Sequence, residues 1–364
     1  MIYLDYNASV PIRPKAREAL MGVLEAQGNP SSPHFLGRQL RSFVDNARKE
    51  ILKAVGGERL VFTSGGTEAN GLALAGVGAV PILVSSIEHP SVLKAVPHPH
   101  VIPVTKDGVV DLESLENILG SFGTPGLLSI MFVNNETGVI QPVQEAALLA
   151  KAKGWKVHTD ASQALGHIPF SFEDLSVDMM TFSSHKCGGP VGIGALILKE
   201  DLHLQPLVRG GGQEYGMRSG TLSSPLILGF AAAVKDALKE QSVVSQRLRG
   251  FQQKIEQALP NAIVYGQNSP RVAHVSCIGM PAVSSQLQLM AFDLKDIAVA
   301  AGAACSSGAM KKGSPVLAAM GIPLTEAQGA IRVSTGWNSQ ESEIDAFISE
   351  WKNIHSKQLT KEAI

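Results

Sequence analysis

The sequence contains few cysteines and none in a metal-binding pattern. Its 364 residues include only Cys187, Cys277 and Cys305, and no two of them form a CxxC spacing. An odd count at such spacings supports neither a disulfide framework nor a structural zinc site. We therefore expect at least one free thiol and predict no metal site.

Charge is also scarce and nearly balanced. Lys and Arg number 31 against 32 Asp and Glu, and charged residues make up only 17% of the chain. Because no long basic block is present, the sequence carries no electrostatic footprint for nucleic acid or an anionic membrane. Neither partner is expected.

Long apolar runs are missing as well. The most apolar stretch, residues 71–87, is shorter than the ~20 residues of a membrane-spanning helix and contains glycine, proline and serine. The first residues, MIYLDYNASVPIRPK, lack the apolar core of a signal peptide. We therefore expect a cytoplasmic protein.

What the sequence does have is a repeated pattern between residues 60 and 198. Short β-rich apolar runs end abruptly in polar and small residues, and several are separated by helical stretches such as residues 111–119 and 143–153. This alternation predicts an α/β fold with a mostly parallel sheet covered by helices on both faces. Ligands of open α/β sheets bind at the carboxyl ends of the strands, where these polar clusters are expected.

The length and the later pattern indicate two domains. The run GIGALILKE (192–200) follows the previous strand too soon for a crossover helix, so it should be antiparallel. A long helical stretch, about residues 225–259, leads away from the sheet. We predict a large domain over residues 12–247 and a smaller α+β domain over residues 248–364, completed by residues 1–11.

A Gly-rich turn, SGGTE (64–68), follows the first strand of this pattern and opens a helix. Amide groups at a helix start favour anions, so the turn is a candidate phosphate site, although an ordinary βα turn is an equal alternative. It matches neither GxGxxG nor a Walker loop, which disfavours dinucleotides and nucleoside triphosphates.

Three further side chains follow strands at the same edge. Lys186 ends SSHK, where a desolvated lysine can form a Schiff base, although a surface lysine is the usual alternative. Asp160 can keep a heterocyclic nitrogen protonated, or it can cap a helix over residues 161–165. His89 can stack on a planar cofactor, or it can be an ordinary loop histidine. Together, a lysine, a carboxylate and a phosphate turn are what pyridoxal phosphate requires.

These residues belong to motifs that run almost from end to end. The chain resembles the cysteine desulfurases of the class V aminotransferase group, which are fold-type I pyridoxal phosphate enzymes. The matching motifs are YLDYNASVP (3–11), GNPSSPHFLGR (28–38), FTSGGTEAN (62–70), EHPSV (88–92), VNNETGVIQPV (133–143), HTDASQALG (158–166), SSHKCGGPVGIGAL (183–196), GGGQEYGMRSGT (210–221) and AGAACSSG (301–308). So many motifs in order are far more specific than any one of them.

The resemblance assigns roles around the cofactor ring. It makes Lys186 the Schiff-base lysine and Asp160 the partner of the pyridinium nitrogen. It places His89 over the ring, and Gln163 and Asn135 at the ring oxygen or the substrate.

The resemblance also implies a phosphate cup and a substrate-binding arginine. Arg332 would bind the substrate carboxylate through its planar fork. Thr221 would come from the neighbouring subunit, which implies a homodimer. The remaining cup residues would be Gly66, Thr67, Ser183 and His185.

Cys305 matches the sulfur-accepting nucleophile of the family. Residues 300–313 are almost all Ala, Gly and Ser, a composition that cannot pack a core, so we expect a mobile loop there. Cys277 lies in an apolar run and Cys187 follows Lys186. Both are expected to be buried packing residues.

The chain departs from its relatives in two places. Val191 stands where relatives have Lys in Gly-Pro-Lys-Gly, and Thr335-Gly336-Trp337 replaces Leu-Gly-Arg. No catalytic match is lost, but the departures can mark a subfamily with another partner or substrate preference.

The resemblance implies conversion of L-cysteine to L-alanine, with sulfur left as a persulfide on Cys305 for a sulfur-acceptor protein such as an iron-sulfur scaffold. Selenocysteine lyase and class V aminotransferase are the nearest alternatives. Two alternatives come from other functional classes: a catalytically silent protein that binds a sulfur-trafficking partner, and a nucleotide-binding module.

Overall fold

The computed structural model describes residues 1–302 and 313–362. Its strands are β1 (Ile2–Tyr3), β2 (Arg59–Thr63), β3 (Ile82–Ser85), β4 (His100–Ile102), β5 (Leu127–Ser129), β6 (Lys156–Asp160), β7 (Met179–Ser183), β8 (Gly194–Leu198), β9 (Ile263–Val264), β10 (Val275–Gly279), β11 (Ile297–Ala298), β12 (Ala300–Ala301) and β13 (Ala330–Ser334). Its α-helices are α1 (Pro14–Leu24), α2 (Phe35–Val55), α3 (Gly66–Gly76), α4 (Pro90–Leu93), α5 (Leu112–Ser121), α6 (Val143–Ala152), α7 (Ser224–Ala258), α8 (Ser285–Asp293), α9 (Pro315–Ala319), α10 (Leu324–Ala327) and α11 (Glu341–Glu362).

The large sheet fulfils the main expectation from the sequence. Within the described ranges it has seven strands in the order β2-β8-β7-β6-β5-β3-β4. The central pairs from β4 to β7 are parallel, whereas β8 pairs antiparallel with both β7 and β2. The short connection before β8 therefore has the predicted effect, and the carboxyl ends of β2, β3, β5, β6 and β7 meet at one edge.

Alternating strand residues pack into two separate cores, one on each face of this sheet. Phe62 and Met180 join a core that includes Ile51 of α2. Val61 and Met179 join a second core, which includes Leu72 of α3. Because side chains along a strand alternate between faces, helices cover both faces, as the sequence predicts.

Helix α7 spans the two regions of the chain. Its first half, up to Ala237, packs into the core of the large sheet, whereas Leu248, Phe251 and Ile255 pack with β10 and α11. The predicted boundary at residue 247 falls between these packing regions, and the division into two domains stays a prediction.

A smaller sheet carries the C-terminal part of the site. Among the described residues it has four strands in the order β12-β13-β10-β9, all antiparallel. Strand β1 pairs with β11, and Asp5 forms a bridge with Ser334 at the end of β13. The N-terminal strand thus joins the C-terminal part of the fold, as expected, and it brings Asn7 and Ala8 to the edge of the large sheet.

In the described part of the chain, every helix is too short or too polar to cross a lipid bilayer.

Candidate active site

Three charged or titratable side chains meet at the carboxyl edge of the large sheet. Asp160 is the last residue of β6, Lys186 lies in a single 3-10 turn directly after β7, and His89 precedes α4. Burial lowers the pKa of His89, while the charge of Asp160 raises it and that of Lys186 lowers it further. The mutual influence shows that the fold brings together three residues that are far apart in sequence.

Asp160 is held by two donors at the strand end. Its Oδ2 accepts a hydrogen bond from Asn70 Nδ2 at 2.7 Å, and its Oδ1 accepts from the Ser162 amide at 3.0 Å. The residues after it, 161–167, form turns and not a helix, so the alternative interpretation of Asp160 as a helix cap is wrong. Asp160 is 9% exposed, and each of its two carboxylate oxygens accepts one of these hydrogen bonds.

A chain of hydrogen bonds connects Asp160 to His89. Asn70 Nδ2 also contacts Ser91 Oγ at 2.8 Å, and Ser91 Oγ lies 2.7 Å from His89 Nδ1. His89 Nδ1 accepts in addition from the Ser91 amide at 3.1 Å. Because Nδ1 acts as an acceptor, we assign the proton of the neutral imidazole to Nε2.

The start of α3 leaves its first amide groups without a side-chain cap among the described residues. These amide groups, which follow Gly65, are therefore available to a ligand. A Cβ on Gly66 would lie 3.3 Å from Ser183 Cβ and 3.4 Å from Ser162 Oγ, so glycine keeps this space open. Ser183 Oγ lies 3.1 Å from His185 Nδ1 beside it. Thr67 is exposed in the first turn of α3, so its hydroxyl is accessible beside these amides.

Lys186 is half-buried and points toward the N-terminal segment. Its Nζ donates hydrogen bonds to the carbonyl oxygens of Asn7 and Ala8, the second at 3.0 Å. Gln163 Nε2 donates to the same Asn7 carbonyl at 3.2 Å. The segment after β1 therefore lines the site next to the lysine.

Arg332 lies on β13 with two of its donors engaged. Nη1 donates to the Asn135 carbonyl at 2.9 Å, and Nη2 donates to Asp5 Oδ1 at 2.7 Å. Its Nε is buried and has no hydrogen-bond partner among the described residues. A guanidinium with an unsatisfied buried donor is suited to an anionic ligand such as a carboxylate.

Two of the three cysteines lie in the described residues, and the sequence predicts that both are buried. Cys187 and Cys277 are both buried and free. Burial raises the pKa of the Cys187 thiol to about 12 and raises that of Cys277 as well, so neither is a ready thiolate. Cys305 lies outside the described residues.

The structure also describes one further predicted position, Thr221, and both departures from the family motifs, Val191 and Trp337. Thr221 is exposed and has no hydrogen-bond partner among the described residues of this subunit. Val191 is 71% exposed. Trp337 packs over Arg13, with 5.4 Å between the guanidinium carbon and the ring centroid, and Arg13 Nε donates to the Cys187 carbonyl at 3.1 Å. The departure at Trp337 therefore supports the turn that carries Lys186.

The residues at this edge fit pyridoxal phosphate. Asp160 offers a buried carboxylate to a pyridinium nitrogen, Lys186 offers an amine to an aldehyde, and the space at Gly66 offers amide and hydroxyl donors to a phosphate. The His89 imidazole lies at the same edge, and burial lowers its pKa.

Sequence reasoning missed Asn70, Ser91 and Asn7, which tie these residues together. Asn70 and Ser91 lie inside recognised motifs, but only their contacts reveal that they join Asp160 to His89.

The comparisons with known proteins agree with this geometry. The family model "Aminotransferase class-V" matches residues 2–347. A cysteine desulfurase from Cereibacter sphaeroides is 38% identical over 95% of this chain and 94% of its own length, and the cysteine desulfurase IscS of Dictyoglomus turgidum is 34% identical over 99% and 95%. The solved structure of a NifS-like protein from Rickettsia africae superposes with a TM-score of 0.92 at 34% identity, covering 98% of this chain and 99% of that one.

Proposed function

The chain belongs to the class V aminotransferase family and is a pyridoxal-phosphate-dependent cysteine desulfurase, and on that premise we propose which of its residues perform the reaction. The observation that carries the proposal is the convergence of Asp160, His89 and Lys186 at one sheet edge, with Arg332 entering from the smaller sheet.

The cofactor ring would be held by five residues at the sheet edge, namely Lys186, Asp160, His89, Gln163 and Asn135. Its phosphate would bind the cup formed by Gly66, Thr67, Ser183 and His185. When bound, the cofactor supplies an electron sink that makes the substrate Cα proton removable. Asp160 would pair with the ring nitrogen, and its two donors, Asn70 Nδ2 and the Ser162 amide, hold the carboxylate in position for this role.

Substrate binding depends on Arg332. Its Nη atoms hold the Asn135 carbonyl and Asp5, and its buried Nε has no hydrogen-bond partner among the described residues, so a substrate carboxylate would supply a missing acceptor. Lys186 would hold the cofactor aldehyde, and we assign to its amine the transfer of the substrate Cα proton. We assign transfer of the substrate thiol proton to His89, because burial lowers its pKa and so favours the neutral imidazole.

Cys305 is proposed as the sulfur acceptor. The overall change balances as L-cysteine plus the enzyme thiol giving L-alanine plus the enzyme persulfide, so no external oxidant is needed. The thiolate of Cys305 forms the new S–S bond while the carbon–sulfur bond of the substrate breaks. Neither Cys187 nor Cys277 suits this step, because both thiols are buried and have raised pKa values.

A homodimer is proposed as the working unit, because the family resemblance assigns Thr221 to the phosphate cup of the neighbouring subunit, and Thr221 is exposed and so accessible to such a partner. The persulfide would be passed to a sulfur-acceptor protein such as an iron-sulfur scaffold. A cytoplasmic location is proposed with it.

An absorbance spectrum followed by an assay for L-alanine and sulfide tests the function. We expect a yellow protein that releases L-alanine from L-cysteine, and sulfide when an external thiol is added. A purified protein that stays colourless with added pyridoxal phosphate and makes no alanine would contradict the function. Alanine formed only when pyruvate is added as amino-group acceptor would favour an aminotransferase.

A further inference from the structure

Glu136 is a buried carboxylate that the roles above do not use. It follows Asn135 in a turn that Asn134 fixes, because Asn134 Oδ1 accepts hydrogen bonds from the amides of Glu136 and Thr137 at 3.0 and 2.9 Å. Glu136 is only 4% exposed, and burial raises its pKa to about 7. Burying a carboxylate costs free energy unless the group is paired or hydrogen-bonded, so the contacts of Glu136 need to be identified.

Its partners are the two flanks of the segment that contains Cys305. Ser314 Oγ donates a hydrogen bond of 2.5 Å to Glu136 Oε2. On the other flank, a Cβ on Gly302 would lie 2.3 Å from the same oxygen and 3.2 Å from Ser314 Cβ. One carboxylate oxygen therefore contacts residues 302 and 314 at once, three residues before Cys305 and nine after it.

Each flank is also tied to regular structure. Gly302 follows β12, whose residue Ala300 pairs with Arg332 on β13. Ser314 is the N-cap of α9, where its Oγ accepts from the Leu317 amide at 3.0 Å. Arg332 acts electrostatically on Glu136 and lowers its pKa, against the effect of burial. The carboxylate thus lies between the substrate-binding arginine and both ends of the segment that carries the nucleophile.

We propose that Glu136 is a positioning residue for sulfur transfer, which holds residues 302 and 314 in register with Arg332 so that Cys305 reaches the sulfur of the bound substrate. The inference rests on the proposed role of Cys305. It predicts that the contact between Glu136 and Ser314 matters for persulfide formation and little for capture of L-cysteine.

The experiment measures two steps separately in the holoenzyme. The spectral change on adding L-cysteine gives the affinity of substrate capture, and mass spectrometry of rapidly quenched samples gives the rate of persulfide formation on Cys305. For Ser314→Ala we expect a persulfide rate lower by about tenfold, the effect of leaving a buried acceptor without its donor, with capture unchanged within about twofold.

The chain supplies matched controls. Ser314→Thr keeps the hydroxyl and should restore the rate. Ser284→Ala removes the serine cap of α8, another helix of the same region, and should change neither step. Glu136→Gln should lower the persulfide rate, and adding Ser314→Ala to it should cost less than Ser314→Ala alone, because the charged contact is already gone.

The outcomes separate this inference from the proposed function. If the wild-type enzyme forms a persulfide on Cys305 and the Glu136 and Ser314 variants form it as fast, the inference is wrong and the function stands. If Ser284→Ala is as slow as Ser314→Ala, the effect is loss of a helix cap, and the inference is again wrong. If the wild-type enzyme leaves Cys305 unmodified, the proposed nucleophile and the inference both fail.

Discussion

Asn70 donates a hydrogen bond of 2.7 Å to Asp160, and this contact joins the helix that begins the phosphate cup to the carboxylate proposed for the pyridinium nitrogen. Through Ser91 the same amide reaches His89. Asn70 therefore connects three parts of the proposed cofactor site: the helix at the phosphate, Asp160 at the ring nitrogen, and His89 at the ring face.

Replacing Asn70 with Ala should weaken cofactor binding. The change leaves the buried carboxylate of Asp160 with one donor fewer, which costs about 1.5–3 kcal/mol, roughly 10- to 150-fold in the dissociation constant of pyridoxal phosphate. Titration of the cofactor-free protein, followed by absorbance, measures it. Ser91→Ala keeps the contact with Asp160 and serves as the control, so an equal loss in both variants would argue against a special role of Asn70.

Lys186 should carry the cofactor. Its placement after β7, with Nζ next to the Asn7 and Ala8 carbonyls, motivates the prediction. Borohydride reduction of the yellow protein, followed by peptide mapping, should find the pyridoxyl group on Lys186. A label on another lysine contradicts the assignment.

Arg332→Lys should raise KM for L-cysteine more than it lowers kcat. A lysine keeps the positive charge but cannot reproduce the fork that also holds the Asn135 carbonyl and Asp5. We expect an increase in KM of about tenfold or more, in line with loss of a charge-assisted hydrogen bond. Steady-state kinetics with L-cysteine measure the effect, and an unchanged KM would place the substrate carboxylate elsewhere.

Glu88 should make stability depend on pH. Burial, with a smaller contribution from the charge of Asp160, raises the pKa of this carboxyl from 4.5 to about 8, although Ser85 and the Met131 amide donate to it. Its stabilising contribution is therefore complete below pH 4.5 and is lost as the pH rises through about 8. Relative to Glu88→Gln, the wild-type protein should lose up to about 1.4 kcal/mol per pH unit in that window.

Urea denaturation from pH 5 to 8 checks this, with the exposed Glu116→Gln as the control. Denaturation midpoints of wild type and Glu88→Gln that run parallel over the whole range would show that Glu88 is ionised in the folded protein.

Shared active sites can be tested with mixed subunits. Neither a Lys186→Ala nor a Thr221→Ala homodimer should be fully active, but hybrids of the two should contain one intact site, because Thr221 serves the partner's phosphate. Activity recovered on mixing, together with a dimer in sedimentation, is the expected result. A stable and active monomer would contradict the proposal.

Much of the fold follows from local patterns in the sequence. Apolar runs ending in polar clusters identify β2, β3, β5, β6 and β7, and the short connection before β8 identifies an antiparallel strand. The prediction does not extend to α1, α2 or β4. In α2, the buried residues Leu40, Val44, Ala47 and Ile51 have helical spacing, so that helix could have been found from the sequence.

The contacts within the site are harder to predict from the sequence than the fold is, because tertiary packing sets them. Motifs identify Asp160, Lys186 and Arg332 as individual residues. No local pattern reveals that Asp5 pairs with Arg332, 327 positions away, or that Glu136 contacts Ser314. These contacts depend on where the smaller sheet lies against the larger one.

The central claim is that Cys305 receives the sulfur of L-cysteine. The variant Cys305→Ser tests whether this thiol is needed for persulfide formation. This variant should still capture L-cysteine, because capture needs Lys186 and Arg332, but it should form almost no persulfide. It should keep much more activity toward selenocysteine, whose selenium can leave without attack by a protein thiol.

The most direct measurement is mass spectrometry of the wild-type protein after treatment with L-cysteine. The account predicts one additional sulfur on the peptide that contains Cys305 and none on the buried Cys187 or Cys277. Sulfur found on either buried cysteine instead, or undiminished desulfuration by Cys305→Ser, would contradict it.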